Sequence, residues 1–194
     1  MAVSLFHDTS PVRYFVLFFI LNGFVYKCYC HNGHDQKDIF RSDLEKDTSP
    51  VKDFVLCRNC GADIASAGFI INKISPEAVI TGNQTIFETP GVSIQQLVNL
   101  WGIKFHTITL SKASCFGAAE HWTKFYSWYP GYAWKPCLCR HCSQQLGWMF
   151  EPIETATPTR LVPSENGFYV LILDSLLSEK FADSLIVIPK SYRS

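Results

Sequence analysis

Charge is scarce in this chain of 194 residues, because Asp, Glu, Lys and Arg make up only 18% of it and the formal net charge is zero. Proteins that bind nucleic acid usually present a basic stripe, so this balance argues against that class. Regular helical periodicity is also rare, which argues against an all-helical fold. Aromatic residues make up 14% of the chain, so a hydrophobic core can form.

A membrane-spanning run is missing as well. The longest apolar run, residues 14–25, falls short of the roughly 20 residues that a spanning helix needs. It follows Arg13 and has the length of the apolar region of a signal peptide, although no clean cleavage triplet follows it. We therefore expect residues 1–30 to be a signal peptide and the protein to be secreted. An uncleaved anchor and a buried N-terminal element are the alternatives.

The rest of the chain divides by composition. Residues 31–54 are polar and charged, and we expect them to form a linker. Between residues 55 and 152, short β-like runs alternate with turn residues, which predicts a mainly β domain. Residues 92–100 are ambiguous between a short helix and a strand. Residues 153–194 are a C-terminal extension, in which 168–173 are expected to add a last strand or to begin a helix.

Two Cys-x-x-Cys motifs lie near the two ends of the β region, and their cysteines are Cys57, Cys60, Cys139 and Cys142. A tight turn of this kind directs two thiolates to one point, so two such turns supply four ligands for Zn²⁺. The ion would join the start of the domain to its end. Disulfides are the alternative in an oxidising compartment, and His141 is an alternative ligand.

Three further positions bear on secretion. Cys115 and Cys137 lie within the domain and are expected to form a disulfide, with two buried thiols as the alternative. Asn83 begins an Asn-Gln-Thr sequon, which predicts N-glycosylation in a secreted protein.

Flat aromatic side chains crowd around a Pro-Gly turn in residues 127–134, SWYPGYAW. A three-residue hairpin loop at residues 130–132 would place Trp128 opposite Trp134 on one face of a sheet. Trp148, in the sequence Gly-Trp-Met-Phe, can return beside Trp134 as a third wall. Three indoles around a small space favour a flat ring or a cation, and burial in the core is the alternative.

The order Cys-x-x-Cys, β region, SWYPGYAW, Cys-x-x-Cys and Gly-Trp-Met-Phe resembles the CULT domain family, which includes the thalidomide-binding domain of cereblon. The resemblance covers about residues 56–152. It implies a β-tent fold, in which two antiparallel sheets are pinned by a zinc site of four cysteines. It also implies a pocket for cyclic imides such as glutarimide or succinimide, for uridine-like rings, or for a protein C-terminus that carries such an imide.

The resemblance also implies which residues build the pocket. Trp128, Trp134 and Trp148 would form the walls of a cage and Phe150 would close its floor. The metal ligands would be Cys57, Cys60, Cys139 and Cys142.

The polar contacts of the pocket are implied by position as well. Backbone groups of Tyr126 and Trp128, on either side of Ser127, would hydrogen-bond the imide, and Asn99 would lie on the loop over the pocket. Tyr126 departs from the histidine that cereblon has there. Because that contact is through the main chain, we expect binding to survive and the preferences at the pocket rim to change.

The resemblance favours a secreted, non-enzymatic binding module. The residues before Cys57 are too few for the Lon-like and adaptor-binding regions of cereblon, so we expect no ubiquitin-ligase adaptor. Nucleic acid is not an expected partner, nor is a membrane once the signal is removed. Methionine sulfoxide reductases of the B type share the tent fold and the four-cysteine zinc site, but Cys115 and Cys137 lie in no matching context. A protein-interaction module with surface aromatics is the remaining alternative.

Overall fold

The computed structural model of the chain describes residues 53–185. The expected signal peptide at 1–30 and nearly all of the expected linker at 31–54 lie outside the described residues, as do residues 186–194. The first strand begins at Phe54, the last residue assigned to that linker.

The described chain consists mainly of short strands, with two short 3-10 helices at Ala67–Phe69 and Leu173–Ser175 and one α-helix near its end. The bounds are β1 Phe54–Cys57, β2 Asp63–Ser66, β3 Ile70–Ile71, β4 Ile80–Ile86, β5 Thr89–Val98, β6 Lys104–Leu110, β7 Phe116–Gly117, β8 Tyr132–Leu138, β9 Gln145–Pro152, β10 Phe168–Ile172, β11 Leu176–Ser178 and α1 Glu179–Ser184.

The strands form two antiparallel sheets. In the smaller sheet β1 lies between β11 and β2, and in the larger sheet the order is β4-β5-β6-β10-β9-β8-β7, with β3 also paired to β6. This arrangement confirms the expected fold class, which is mainly β with two antiparallel sheets. The larger sheet carries the aromatic sequence and the second Cys-x-x-Cys motif.

The ambiguous segment at 92–100 is extended, so the helical alternative was wrong. It lies mostly in β5, which pairs with β4 along one edge and with β6 along the other. Backbone N–H and C=O groups must find partners when they are buried. A helix would satisfy them locally, and here two neighbouring strands do so instead.

The apolar run at 168–173 forms a central strand. All five residues of β10 are buried, and β10 pairs with β6 on one side and with β9 on the other. A strand that is covered on both faces shows a continuous apolar run, not an alternating one. Of the two alternatives for this part of the C-terminal extension, a last strand or the start of a helix, the strand is the one present. Farther along, β11 lies beside β1.

Strands β8 and β9 separate two groups of buried side chains. On one face Ala133, Cys137 and Met149 belong to the core between the two sheets. On the opposite face Trp148 and Phe150 belong to a second, mainly aromatic group. Because side chains alternate along a strand, the same two strands serve the core and the aromatic site.

The disulfide predicted as one of two alternatives is present. Cys115 and Cys137 are bonded to each other and both are buried. The bond ties the segment before β7 to the end of β8, and Gly117 of β7 pairs directly with Cys137.

The sequon lies on the outermost strand of the larger sheet. Asn83 is exposed on β4, and its side-chain Oδ1 accepts a hydrogen bond of 3.0 Å from the Ser93 hydroxyl. The side chain is therefore accessible from solvent. Within residues 53–185, no helix has the length and apolar character to cross a membrane.

Gly147 makes the closest backbone approach in the sheet, where β9 passes β10. A Cβ atom at this position would lie 2.1 Å from the carbonyl oxygen of Val170 and 2.8 Å from Cα of Leu171. We expect Gly147→Ala to lower the free energy of unfolding by about 3 kcal/mol or more, because backbone atoms of β10 would have to move. Chemical denaturation of the variant measures this change.

Gly82→Ala is the matched control for that substitution. Gly82 lies on the edge strand β4, and a Cβ atom there would meet nothing within 4 Å. We expect its free energy of unfolding to change by less than about 1 kcal/mol. Equal losses in both variants would contradict the close packing of β9 on β10.

Candidate metal centre and aromatic site

The two Cys-x-x-Cys turns have the same backbone geometry. Gly61 N–H donates to the Cys57 carbonyl at 2.8 Å, and Ser143 N–H donates to the Cys139 carbonyl at 2.9 Å. Gly61 and Ser143 both have positive φ, 75° and 58°. The first turn joins β1 to β2 and the second joins β8 to β9, so one turn comes from each sheet.

The structure brings all four predicted cysteines together. Their Sγ atoms lie within 4.8 Å of one another, and the pairs Cys57–Cys142 and Cys60–Cys139 are each 3.7 Å apart. A disulfide would need about 2.05 Å, so these cysteines are not bonded to each other. Four thiolates placed about 2.3 Å from a tetrahedral zinc ion would stand about 3.8 Å apart. The donor set and its spacing therefore fit a tetrahedral metal ion.

The thiols of the cluster differ in acidity. Burial raises the pKa of Cys139 to about 12. Burial also acts to raise the pKa of Cys142, but hydrogen bonds with the Asn59 side chain, the Gln144 backbone and the neighbouring cysteines together outweigh it and lower the pKa to about 7. A bound divalent cation would favour the thiolate form of all four ligands. His141 is exposed, and the cluster is completed by Cys142.

Two of the three predicted cage tryptophans are in contact. The rings of Trp128 and Trp148 meet edge to face, with centroids 4.7 Å apart and planes at 87°. Phe105 of β6 packs edge to face on Trp148 at 5.1 Å. Phe105 lies within the region that the sequence predicted to be mainly β, but sequence reasoning did not include it in the site. Phe105 follows the loop that carries Asn99 and Gly102 by two residues, and this position could have indicated that it lies near the site.

Trp134 lies on the same face of the sheet as Trp148. It pairs across β8 and β9 with Phe150, and Trp148 precedes Phe150 by two residues, so all three side chains share a face. Trp134 is half-buried, and its indole N–H donates to the Phe125 carbonyl at 2.9 Å. The indole N–H of Trp128 donates to the Val98 carbonyl at 2.8 Å.

The hairpin expected at residues 130–132 was wrong. Tyr132 N–H donates to the Tyr129 carbonyl at 3.0 Å, which closes a four-residue turn with Pro130 and Gly131 at its centre. The chain before the turn does not pair with β8, because Thr123 takes that place opposite Trp134. Trp128 reaches the site from a loop and not from a strand partner of Trp134.

Phe150 lies beneath the site, in the buried aromatic group. Only 1% of its surface is exposed, and its ring stacks on Phe168 at 5.2 Å and meets Tyr129 edge to face at 4.9 Å. It supports the segment that carries Trp128, since Tyr129 is the next residue in the chain.

The predicted polar residues shape the loops around the site. Asn99 Oδ1 accepts from the N–H groups of Trp101 and Ile103, at 3.0 and 2.9 Å, so this side chain holds its own loop. Tyr126 is exposed and has a positive φ of 53°. Ser127 Oγ donates to the Tyr129 carbonyl at 3.0 Å and accepts from the Tyr129 N–H at 3.3 Å.

A buried polar network supports Trp128 from behind, and sequence reasoning missed it. Gln95 Nε2 donates to Tyr129 Oη at 2.7 Å, and Gln95 Oε1 accepts from the Ser75 N–H at 2.8 Å. The Ser75 hydroxyl in turn donates to the Trp128 carbonyl. Tyr129 Oη also donates to the Lys73 carbonyl at 3.2 Å. The network fixes the backbone of Trp128 relative to β5.

Tyr129 gives this network a measurable pH dependence. Burial raises the pKa of its hydroxyl above the ordinary value of 10.0. The folded protein therefore keeps this proton to higher pH than the unfolded chain, and the contribution is fully present below about pH 10 and lost above it. We expect the free energy of unfolding to fall as the pH rises beyond about 10, and to fall less steeply in Tyr129→Phe. Denaturation at a series of pH values measures both slopes, and identical slopes would contradict the assignment.

No protein-family model matches the chain. Known proteins that resemble it carry the name Protein cereblon. The one from Drosophila yakuba is 28% identical over 155 residues, 79% of this chain, and the one from Drosophila persimilis is 32% identical over 133 residues, 68% of this chain. The protein from Danio rerio is 39% identical over 57 residues, 29% of this chain.

The chain spans about a quarter or less of the cereblons that it matches, with shares of 24%, 18% and 13% of their lengths. The similarity therefore concerns one region of those proteins. In this chain the described residues form two antiparallel sheets and a cluster of four cysteines. The described residues of this chain therefore form a cereblon-like CULT domain.

Proposed function

We propose that this protein is a zinc-containing, non-enzymatic binding module that captures a small cyclic imide or a uridine-like ring between Trp128, Trp134 and Trp148. The observation that carries the proposal is the edge-to-face contact of Trp128 and Trp148 on the sheet face that Trp134 shares. Perpendicular indoles form two walls of a corner, which suits a flat guest.

The indole N–H groups strengthen this reading. Those of Trp128 and Trp134 are both bonded to backbone carbonyls. Each bond fixes the orientation of its ring and satisfies its polar atom, so the ring faces are what remains for a ligand. Preorganised walls of this kind lower the entropic cost of binding.

The imide group needs polar partners as well. The Trp128 carbonyl already accepts from the Ser75 hydroxyl, and a carbonyl oxygen has a second lone pair for a ligand N–H. Tyr126 has a left-handed backbone, which costs energy in a non-glycine residue and is common where a site demands a particular backbone direction. Both residues are those that the CULT resemblance assigned to imide recognition.

Loss of one wall tests the cage. We expect glutarimide to quench tryptophan fluorescence in the wild type, and Trp134→Ala to weaken its Kd about tenfold or more, because one apolar face is removed. Trp122→Phe is the matched control, since Trp122 belongs to the core between the two sheets and the three cage rings belong to the aromatic group. Calorimetry on all three proteins gives the affinities. No response of the wild type at millimolar ligand, or equal losses in both variants, would contradict the proposal.

Zinc is the metal that the four-cysteine cluster fits best. Tetrahedral sets of four thiolates are typical of structural zinc, and two turns from separate sheets would be held by one ion. Zinc bound at this position would stabilise the folded state, since the unfolded chain has no preformed site. The chain's own contribution is the two equivalent turns that hold the four Sγ atoms at this spacing.

Metal content and stability should change together. We expect one zinc ion per chain by mass spectrometry of the native protein, and a lower melting temperature when a chelator removes it. Cys60→Ser should lower the metal content, because one of four ligands is lost. His141→Ala is the control, because His141 is exposed within the second turn and is not part of the cluster. Full stability in the presence of chelator would contradict a structural role for the metal.

We propose that the protein is secreted. The apolar run at residues 14–25 and the sequon at Asn83 support this, and so does the bond between Cys115 and Cys137, since disulfides persist in oxidising compartments. We expect the protein in the culture medium of expressing cells, with an intact mass that reflects removal of about the first 30 residues and a glycan. Retention of the full N-terminus inside the cell would contradict secretion.

The same disulfide argues against the reductase alternative. A methionine sulfoxide reductase needs a reactive thiolate, and Cys115 and Cys137 are buried and bonded to each other. The other cysteines of the described residues form the metal cluster.

A further inference from the structure

We propose that the loops around the aromatic site dock on an anionic membrane surface. Six large apolar side chains form this surface, here called the rim, and they are Ile74, Leu100, Trp101, Ile103, Phe125 and Tyr126. The proposal does not rest on imide binding by the cage.

The first argument is exposure. Trp101 is 80% exposed, Phe125 76% and Tyr126 75%, although side chains of this type are normally at least partly buried. Six of the twelve large hydrophobic residues that stand exposed in the described chain belong to the rim. Such a concentration marks a surface that meets another apolar phase.

The second argument is that the rim is one continuous region. Its residues come from three segments, and each segment is fastened to Trp128 or continues from it. The Trp128 indole bonds to Val98, which precedes the loop of Leu100 and Trp101. Its carbonyl accepts from Ser75, the neighbour of Ile74, and Phe125 and Tyr126 lie just before it in the chain.

The third argument is charge. Residues 98–110 and 121–135 contain no Asp or Glu, and the exposed Lys104 and Lys124 lie beside the apolar loop residues. In the third segment, residues 72–78, Glu77 is the only acidic residue and Lys73 Nζ bonds to Tyr132 Oη. Lysines beside exposed aromatic residues complement anionic lipid headgroups.

The residue types favour a bilayer over a protein partner. Tryptophan and tyrosine prefer the boundary between lipid headgroups and acyl chains, and leucine, isoleucine and phenylalanine insert just below it. Side chains at loop tips can enter this layer separately, whereas a protein interface packs its central aromatic residues into pockets. Docking of this kind is peripheral and reversible, so it needs no spanning helix. It departs from the sequence expectation that the mature protein meets no membrane.

Vesicle binding tests the proposal directly. The full chain is sedimented with vesicles of phosphatidylcholine alone and of phosphatidylcholine mixed with phosphatidylserine. We expect binding to the mixed vesicles, and a loss of about tenfold or more in the double variant Trp101→Ser with Phe125→Ser. Phe181→Ser is the matched control, because Phe181 is 54% exposed on α1, outside the rim, and its loss should leave binding unchanged. All variants are prepared with the same N-terminus, so the differences between them report on the rim.

The charge argument has its own variant. In the double variant Lys104→Gln with Lys124→Gln, we expect binding to the mixed vesicles to weaken by roughly fivefold for each lysine that is replaced. Lys112→Gln is the control and should leave binding unchanged. Absence of vesicle binding by the wild type would overturn the proposal, as would unchanged binding in the Trp101→Ser, Phe125→Ser variant. Self-association that this variant abolishes, without any vesicle binding, would assign the rim to a second copy of the chain and overturn membrane docking. Equal melting temperatures confirm that the exposed substitutions leave the fold intact.

Discussion

The register of β8 against β9 decides where the candidate site residues of this domain lie. Trp134 faces Phe150 across the two strands, and Trp148 lies two residues further along on the same face. A slip of one residue would move these side chains to the other face and bring Met149 into their place. The Cys139–Cys142 turn joins the same two strands, so the candidate metal centre and the aromatic site share one structural unit.

The aromatic site depends on groups that are not aromatic. Gln95, Ser75 and Tyr129 form a buried hydrogen-bonded network, and it reaches the backbone of Trp128. A buried polar network of this kind is favourable only when its members are satisfied, and each of these three side chains has partners. Trp128 is therefore positioned by contacts with β5, which is distant in sequence, and not by pairing with the neighbouring strand β8.

Loop residues around the site combine order with exposure. Asn99 bonds to two N–H groups of its own loop. The Trp128 indole bonds to Val98 at the end of β5, and the Trp134 indole bonds to Phe125 in the neighbouring loop. The apolar side chains on these loops are thus held outward by an ordered backbone. An ordered, outward-facing aromatic surface is costly in water, which is the reason to expect that it meets a partner.

Sequence alone determined the features that are local or that repeat. The two Cys-x-x-Cys turns, the mainly β fold and the tryptophans of the site followed from spacing, turn residues and the CULT resemblance. The sequence did not predict how Trp128 reaches the site. The turn at Tyr129–Tyr132 and the pairing of Thr123 with Trp134 depend on the rest of the sheet.

Tertiary structure also decided the place of β10 and the choice between helix and strand at β5. A continuous apolar run is compatible with a buried helix or a buried strand, and only pairing with β6 and β9 distinguishes them. The Gln95 network was hidden for the same reason. Its members come from separate segments, and a polar side chain shows its burial only when the chain is folded around it.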